Sequence, residues 1–428
     1  MAGKSDRPSL ADALEKLKRK YGPGSIAPAS EAPALKWKRI RTDCYAFDYL
    51  SGGGCPHGVP IMLYGSEGSA KSTVAAKICI AAQRHCRECV EEMLVTEGKT
   101  WNRCPLCGWR DTDESGVEVC TQKHCGGQMV VGASPQMACP SCKKHLPYRV
   151  LWMDEETSFT TPWFASHGGD ASLIYVSRPE TAEEAVDGSM VLLATGEFDL
   201  VVVDTIAQMV PKKELEESME SWQTGLQARL VNKALRGWTS KMAEAGVIDD
   251  QRLTMILINQ IRYKIGVMFG DPTTKPGGKG QDFAPALTIK MWTGKVEKDE
   301  LGNTQAAIYQ MSVEKNKTAP TTRMSGNFRM WLRDSVDEDG VDRRAWDTED
   351  DHVLLEYGLA YGVVNYDNKK YTLNGQEFRS QTAVQEYLRT DVHARKWVAD
   401  ALAHKRIGEV WFSLKAAEKS RKKKAAEA

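Results

Sequence analysis

Residues Leu63–Thr73 read LYGSEGSAKST. The apolar run Ile61–Tyr64 leading into them has the composition of a buried strand, and Ser72–Ala82 has the spacing of a helix. A strand, a tight Gly-containing turn and a helix in that order form a cradle for phosphate. The amides of Gly65, Ser66, Glu67, Gly68, Ser69 and Ala70 would face the anion together with the helix N-terminus. Lys71 would reach the terminal oxygens, and Ser72, with Thr73 behind it, would hold magnesium. The common pattern is GxxxxGKS or GxxxxGKT. Here Ala70 stands in place of the second Gly, where the backbone conformation is often costly for a residue with a side chain. A Gly-rich turn without a ligand is the plainer alternative.

Two carboxylate signals weigh against that alternative. Val201–Asp204 reads VVVD and Met153–Glu156 reads MDEE, each an apolar run ending in acid. An acid at the carboxyl edge of a sheet can orient magnesium, and Glu156 can act as a general base on a water. Arg149–Met153, Leu200–Val203 and Met255–Ile258 join Ile61–Tyr64 as expected buried parallel strands, with a further helix over Gly225–Ala245. The fold class is therefore α/β, a central, mostly parallel sheet flanked by helices.

The chain has 428 residues, with 57 basic and 57 acidic side chains, so any nucleic-acid binding must be local. No apolar run is long enough to span a membrane and no signal peptide is visible, which points to the cytoplasm. Leu10–Tyr21 is an amphipathic helix stopped at Gly22–Pro23–Gly24, and residues 25–36 read as linker. The expected divisions are a helix and linker over 1–36, a core over 37–333 with an insertion at 84–148, a charged linker at 334–351, a small α+β domain at 352–412, and a basic tail at 413–428.

The insertion carries Cys86 and Cys89, Cys104 and Cys107, Cys120 and Cys125, and Cys139 and Cys142. Eight thiols in four close pairs fit two tetrahedral zinc sites of four thiolates each. The insertion replaces a short helix-to-strand connection, so its two ends should be close, which favours Cys86 and Cys89 joining Cys139 and Cys142, with the middle pairs forming an inner ribbon. Sequential pairing is the rival, and His124 could substitute for a neighbouring cysteine. Cys44, Cys55 and Cys79 are left as ordinary core residues.

Ile258–Gly270 reads INQIRYKIGVMFG. Asn259 and Gln260 end an apolar strand, where a polar side chain can touch a phosphate. Arg262, Tyr263, Lys264, Ile265, Gly266, Val267 and Phe269 then form a basic loop flanked by the flexible pair Gly277–Gly278 and by Lys279. Such a loop suits a nucleic-acid backbone and bases. Arg229, Asn232 and Arg236 share one helical face, which could be ordinary surface charge or a second backbone contact.

In the order MDEE, VVVD, INQIRYKIGVMFG and VEKNKTAP, these motifs resemble those of RecA-family recombinases over residues 9–333 outside the insertion, and more weakly over 352–405. The resemblance implies ATP as substrate, with Glu156 as catalytic base, Asp204 and Ser72 at magnesium, and Gln260 sensing the terminal phosphate. It implies that Lys315 and Lys317 reach a neighbouring protomer's ATP and that Phe283 lies in the protomer interface. Trp163 would stack on adenine, with a core Trp the alternative. The helix at Leu10–Tyr21 would dock on the next protomer, and the 258–270 loop and the Arg229 face would hold DNA. The implied activity is DNA-stimulated ATP hydrolysis by a helical filament on single-stranded DNA that searches a duplex and exchanges strands. Single-strand-binding or loading proteins are possible partners.

Phage recombinases that resemble the family also relax the Ala70 position, which makes a phage origin and a host cytoplasm the expectation. The tail Arg421–Lys424 is basic where the bacterial family ends acidic, so acidic-tail autoinhibition does not carry over. Two rival readings stand: an ATP-binding scaffold that barely hydrolyses, and a helicase-like motor on the same core.

Overall fold

The computed structural model describes residues 9–21, 26, 37–42, 44–96, 100–103, 110–111, 130–133, 136–216, 225–248, 253–263, 273–322, 324–336 and 342–404. The chain divides into two compact units, Met1–Trp37 and Lys38–Ala428. The first holds α1 (Leu10–Tyr21). Ser9 caps it, its hydroxyl accepting from the Asp12 N–H at 3.1 Å, and Arg19 pairs with Glu15 one turn away. Leu10 and Leu17 are exposed along this helix.

The second unit is built on one nine-stranded sheet. In chain order its strands and those of the insertion neck are β1 (Pro60–Gly65), β2 (Leu94–Thr96), β3 (Gln136–Ala138), β4 (Val150–Asp154), β5 (Ile174–Ser177), β6 (Leu200–Asp204), β7 (Thr254–Gln260), β8 (Leu287–Lys298), β9 (Thr304–Asn316), β10 (Ser325–Trp331) and β11 (Thr348–Glu349). The sheet runs β5-β4-β6-β7-β1-β8-β9-β10-β11, and β2 pairs with β3 apart from it. Strands β5 through β8 are parallel, and the remainder are antiparallel.

The parallel strands are apolar runs because helices cover both of their faces. All five residues of β4 and of β6 are buried. Each Val, Leu or Ile so buried contributes about 1.5–3 kcal/mol. The helix α3 (Lys71–Gln83) is apolar on nearly every side, and eleven of its thirteen residues are buried. On one face, α5 (Ala182–Leu193) and α6 (Leu226–Ile248) are tied by Trp238, which donates to Ser189 Oγ at 2.8 Å within a core that includes Leu151, Val203 and Leu257.

The charged segment 334–351 is more than a linker. Its β11 pairs with β10 at the sheet edge, and Glu349 is buried, accepting from Arg329 at 2.8 Å and from the Trp331 indole at 2.8 Å. Beyond it, α8 (Asp351–Ala360), a three-stranded sheet β12 (Val364–Asp367), β13 (Lys370–Leu373) and β14 (Gln376–Phe378), and the helices Gln381–Thr390 and Val392–His404 share a core around Leu355, Val364 and Leu388. Tyr357 stacks on Tyr49 of the helix α2 (Tyr45–Ser51), and the Ala46 N–H donates to Asp350 at 3.0 Å. These two contacts seat this C-terminal segment on the core.

Candidate nucleotide and nucleic-acid site

The register of the parallel strands brings Gly65, Asp154, Asp204 and Gln260 to one edge. Asp204 lies opposite Asp154, and Gln260 opposite Gly65. The loop between β1 and α3 opens there. Gly65 admits no side chain, since a Cβ would collide with the Met291 carbonyl of β8. Ala70 takes the left-handed conformation at φ 63° and ψ 22°, the strained geometry expected at that position. Thr293 of β8 holds the loop from outside, donating to the Gly68 carbonyl at 3.0 Å.

Lys71, the first residue of α3, is buried and folds back onto its own loop, donating to the Ser66 carbonyl at 2.6 Å and to Ser69 Oγ at 3.3 Å. Burial lowers its pKa, while Glu156, Asp204 and Glu67 oppose that shift. Asp204 is fully buried, and neither of its carboxylate oxygens has a hydrogen-bond partner. Burial pushes it up to about 7; the Ser72 hydroxyl, near but outside normal hydrogen-bond geometry, pulls the other way, as does Lys71, whereas Glu156 and Asp154 push it further. Glu155 is likewise pushed up to about 7 by burial and by Asp154, and its Oε1 is unpartnered. Crowded acids with orphaned oxygens beside a hydroxyl are what a hard divalent cation relieves, so Ser72 and Asp204 fit magnesium.

Glu156 is exposed at the end of β4 and accepts from Gln260 Nε2 at 2.5 Å, joining the two polar strand ends. Asp154 does a different job. It is buried and accepts from Arg178 and from the Ser158 and Phe159 amides, which shapes the turn that presents Glu156.

Asn259 turns away from the phosphate loop. It is fully buried and donates to the Pro276 carbonyl at 3.0 Å and to the side chain of Gln281, itself fully buried. Gln281 in turn donates to the carbonyls of Pro276 at 2.6 Å and Gly278 at 2.9 Å. This buried amide pair was not legible in the sequence, where Gln281 stands in a polar run. It fastens the end of β7 to the stem of the following loop.

Arg262 and Tyr263 form the other stem, paired with Thr274 and Thr273. Arg262 is exposed. Lys264, Ile265, Gly266, Val267 and Phe269 lie outside the described residues. Gly277 and Gly278 are not a flexible pair. Both hold positive φ, and a Cβ on them would meet Val231 and Ile206, or Ala228 at 2.9 Å, so they let the stem lie flat on α6. Asn232 is half-buried against this stem at Gly280, whereas Arg229 and Arg236 are exposed on the same helix. Lys279 is exposed just before the short helix α7 (Gly280–Phe283).

Phe283 is 74% exposed. Beside it, Lys315 donates to the carbonyls of Asp282 at 2.8 Å and Phe283 at 3.0 Å. Lys275 pairs with Asp282 at 2.7 Å and lies over the Tyr64 ring, and the Tyr64 hydroxyl donates to Glu314. Lys317 follows on β9's exit, its N–H bonded to the Ala286 carbonyl. Trp163, on α4 (Thr161–Ser166), is half-buried between His167 and Trp346 with its indole N–H unpartnered.

At the other end of α3, Cys86, Cys89, Cys139 and Cys142 bring their four sulfurs within 4.8 Å of one another. Cys104, Cys107, Cys120, Cys125 and His124 lie outside the described residues. Among the described residues no helix is long and apolar enough to cross a membrane.

The family profile described as the RecA N-terminal domain matches residues 8–92 and 139–333, leaving the body of the insertion unmatched. Proteins named RecA align over most of the chain. That of Heliobacterium modesticaldum is 27% identical over 394 residues, 91% of this chain and 90% of that protein. That of Frankia casuarinae is 28% identical over 381 residues, 88% and 86%. That of Cutibacterium acnes is 27% identical over 408 residues, 94% and 93%.

Proposed function

The chain belongs to the RecA family, and on that premise we propose that it is a DNA-dependent ATPase that assembles on single-stranded DNA and exchanges strands with a homologous duplex. The observation that carries this reading is the hydrogen bond between Gln260 and Glu156, because it joins the strand that leads into the basic loop to the acid beside the phosphate cradle.

In this reading the loop amides and Lys71 bind the phosphates of ATP. Magnesium, held by Ser72 and Asp204, supplies neutralising charge when bound. Glu156 orients and deprotonates the attacking water. Gln260 leaves Glu156 for the terminal phosphate, and its movement is passed to the loop stem through Asn259 and Gln281. Arg262, Lys264 and the exposed Arg229 and Arg236 hold DNA through its phosphates, so sequence discrimination falls to base pairing. Lys315, Lys317 and Phe283 form the surface offered to the next protomer, and α1 packs on a neighbouring protomer. Trp163 serves the adenine from a half-buried position. The insertion holds two structural zinc ions.

One observation favours a second reading. The left-handed backbone at Ala70 strains the cradle, and a strained cradle suits a scaffold that binds ATP and barely turns it over. ATP hydrolysis by the purified protein, with and without single-stranded DNA and alongside Lys71→Ala, separates the two. Strong DNA stimulation that is lost in the variant supports the recombinase. ATP-dependent DNA binding without turnover supports the scaffold.

A further inference from the structure

The cysteine cluster lies outside the site just described, and its geometry goes beyond the bare expectation of zinc. Cys86 and Cys89 follow α3 directly, and Cys139 and Cys142 precede β4. Each pair makes the same turn. The Val90 N–H donates to the Cys86 carbonyl at 2.7 Å, and the Lys143 N–H donates to the Cys139 carbonyl at 2.9 Å. The residue after each second cysteine is left-handed, Val90 at φ 57° and Lys143 at φ 62°. That conformation is rare for a β-branched residue and persists only where its surroundings demand it. Its occurrence twice, in matching places, marks both turns as shaped for one purpose.

The sulfur geometry names that purpose. Cys86 Sγ and Cys142 Sγ are 3.7 Å apart, and all four sulfurs lie within 4.8 Å of one another. A tetrahedron of zinc–sulfur bonds of about 2.3 Å has edges of about 3.8 Å. None of the four is joined in a disulfide. Met93, Met137 and Leu146 pack around them and limit access of water. The turns are also sewn to the core. The Arg87 N–H donates to the Leu146 carbonyl at 2.8 Å, and the Arg87 side chain lies 3.8 Å from Asp199, which accepts from the Arg149 N–H at the start of β4.

We propose that Cys86, Cys89, Cys139 and Cys142 bind one zinc ion as a tetrathiolate clasp that fixes the end of α3 to the start of β4, independently of Cys104, Cys107, Cys120 and Cys125. The assignment rests on the zinc reading of the insertion and sets the pairing of its cysteines. It does not depend on the recombinase reading.

The test uses the full chain purified without chelator. Zinc per chain is measured by atomic emission, and cobalt-substituted protein is examined for the thiolate-to-metal charge-transfer band of a four-sulfur site. Cys104, Cys107, Cys120 and Cys125 are replaced together by Ser in one variant, and Cys139 and Cys142 in another. The first variant is expected to keep one zinc and the four-sulfur band, and the second to lose that site. If the four-fold variant folds and loses all zinc, the clasp is overturned in favour of sequential pairing while the zinc reading survives. If the parent chain binds no zinc, or its four clasp sulfurs titrate as disulfides, both readings fall. The four-fold variant alone decides the pairing if the other does not fold.

Discussion

Ala70→Gly offers a sharp test of how this phosphate cradle is built. Ala70 sits at φ 63° and ψ 22°, where an L-residue pays about 1–2 kcal/mol for the clash of its Cβ with the following carbonyl. Gly removes that cost but loses about 0.4–1 kcal/mol through the greater freedom of its unfolded chain. The net expectation is a gain of about 0–1.6 kcal/mol, centred near 0.8 kcal/mol. In a core of this size that raises the melting temperature by about 1–3 °C. If strain lets the free loop sample another shape, relieving it also tightens ATP binding, by no more than about fivefold for 1 kcal/mol. Thermal unfolding and equilibrium nucleotide binding give both readouts. Ala70→Val is the control and should be destabilised, because a β-branched residue tolerates this conformation worst. If the Gly variant is neutral or less stable while the Val variant matches the parent, the left-handed turn is not what the folded protein holds.

Gly65→Ala should cost several kcal/mol and abolish nucleotide binding, because the new Cβ meets the backbone carbonyl of Met291 rather than a yielding side chain; a variant with parental stability would contradict the close β1–β8 approach. Gln281→Leu takes one acceptor from Asn259, which keeps the Pro276 carbonyl, and removes the side-chain donor from the Gly278 carbonyl, and should cost about 1–3 kcal/mol. In the same variant, DNA stimulation of ATP hydrolysis should fall more than basal turnover, and an equal loss of both would argue against a coupling role. Burial pushes Asp350 up to about 7 from its ordinary 3.8, with the Ala46 N–H and Arg395 opposing. Since the folded state then holds the proton more tightly, this group's stabilisation is fullest below about pH 4 and is lost as pH rises to about 7. Asp350→Asn should flatten that slope, and urea midpoints at about pH 5 and about pH 8 that shift alike in both proteins would refute it.

The parallel strands were readable because strands buried on both faces must be apolar throughout, and the cradle was readable because a phosphate loop needs a fixed order of strand, turn and helix. What escaped were features whose meaning depends on partners far away in the chain. Glu349 stands in the acidic run Asp347–Asp351 and looks solvated, yet Arg329 and Trp331 across the sheet bury it. Asn259 looks like a phosphate contact, and only the position of Gln281 turns it inward. Gly277 and Gly278 carry no sign in the sequence that they pack on Ala228 and Val231 rather than flex. The cysteine pairs were visible as pairs, and the expected closeness of the insertion's ends favoured the outer two, whose sulfurs do meet where α3 ends beside the start of β4.

The pairing of Thr96 with Gln136 in the neck of the insertion bears on how the chain folds and how it can change. To the core, an arm whose ends are laced together counts as a short connection, whatever its contour length. Closure cost rises only with the logarithm of that length, so doubling the arm would add about 0.6 kcal/mol. Foreign sequence could therefore be spliced into the arm beyond that rung at little expense to the fold, which makes this neck a natural place for the lineage, or an engineer, to experiment.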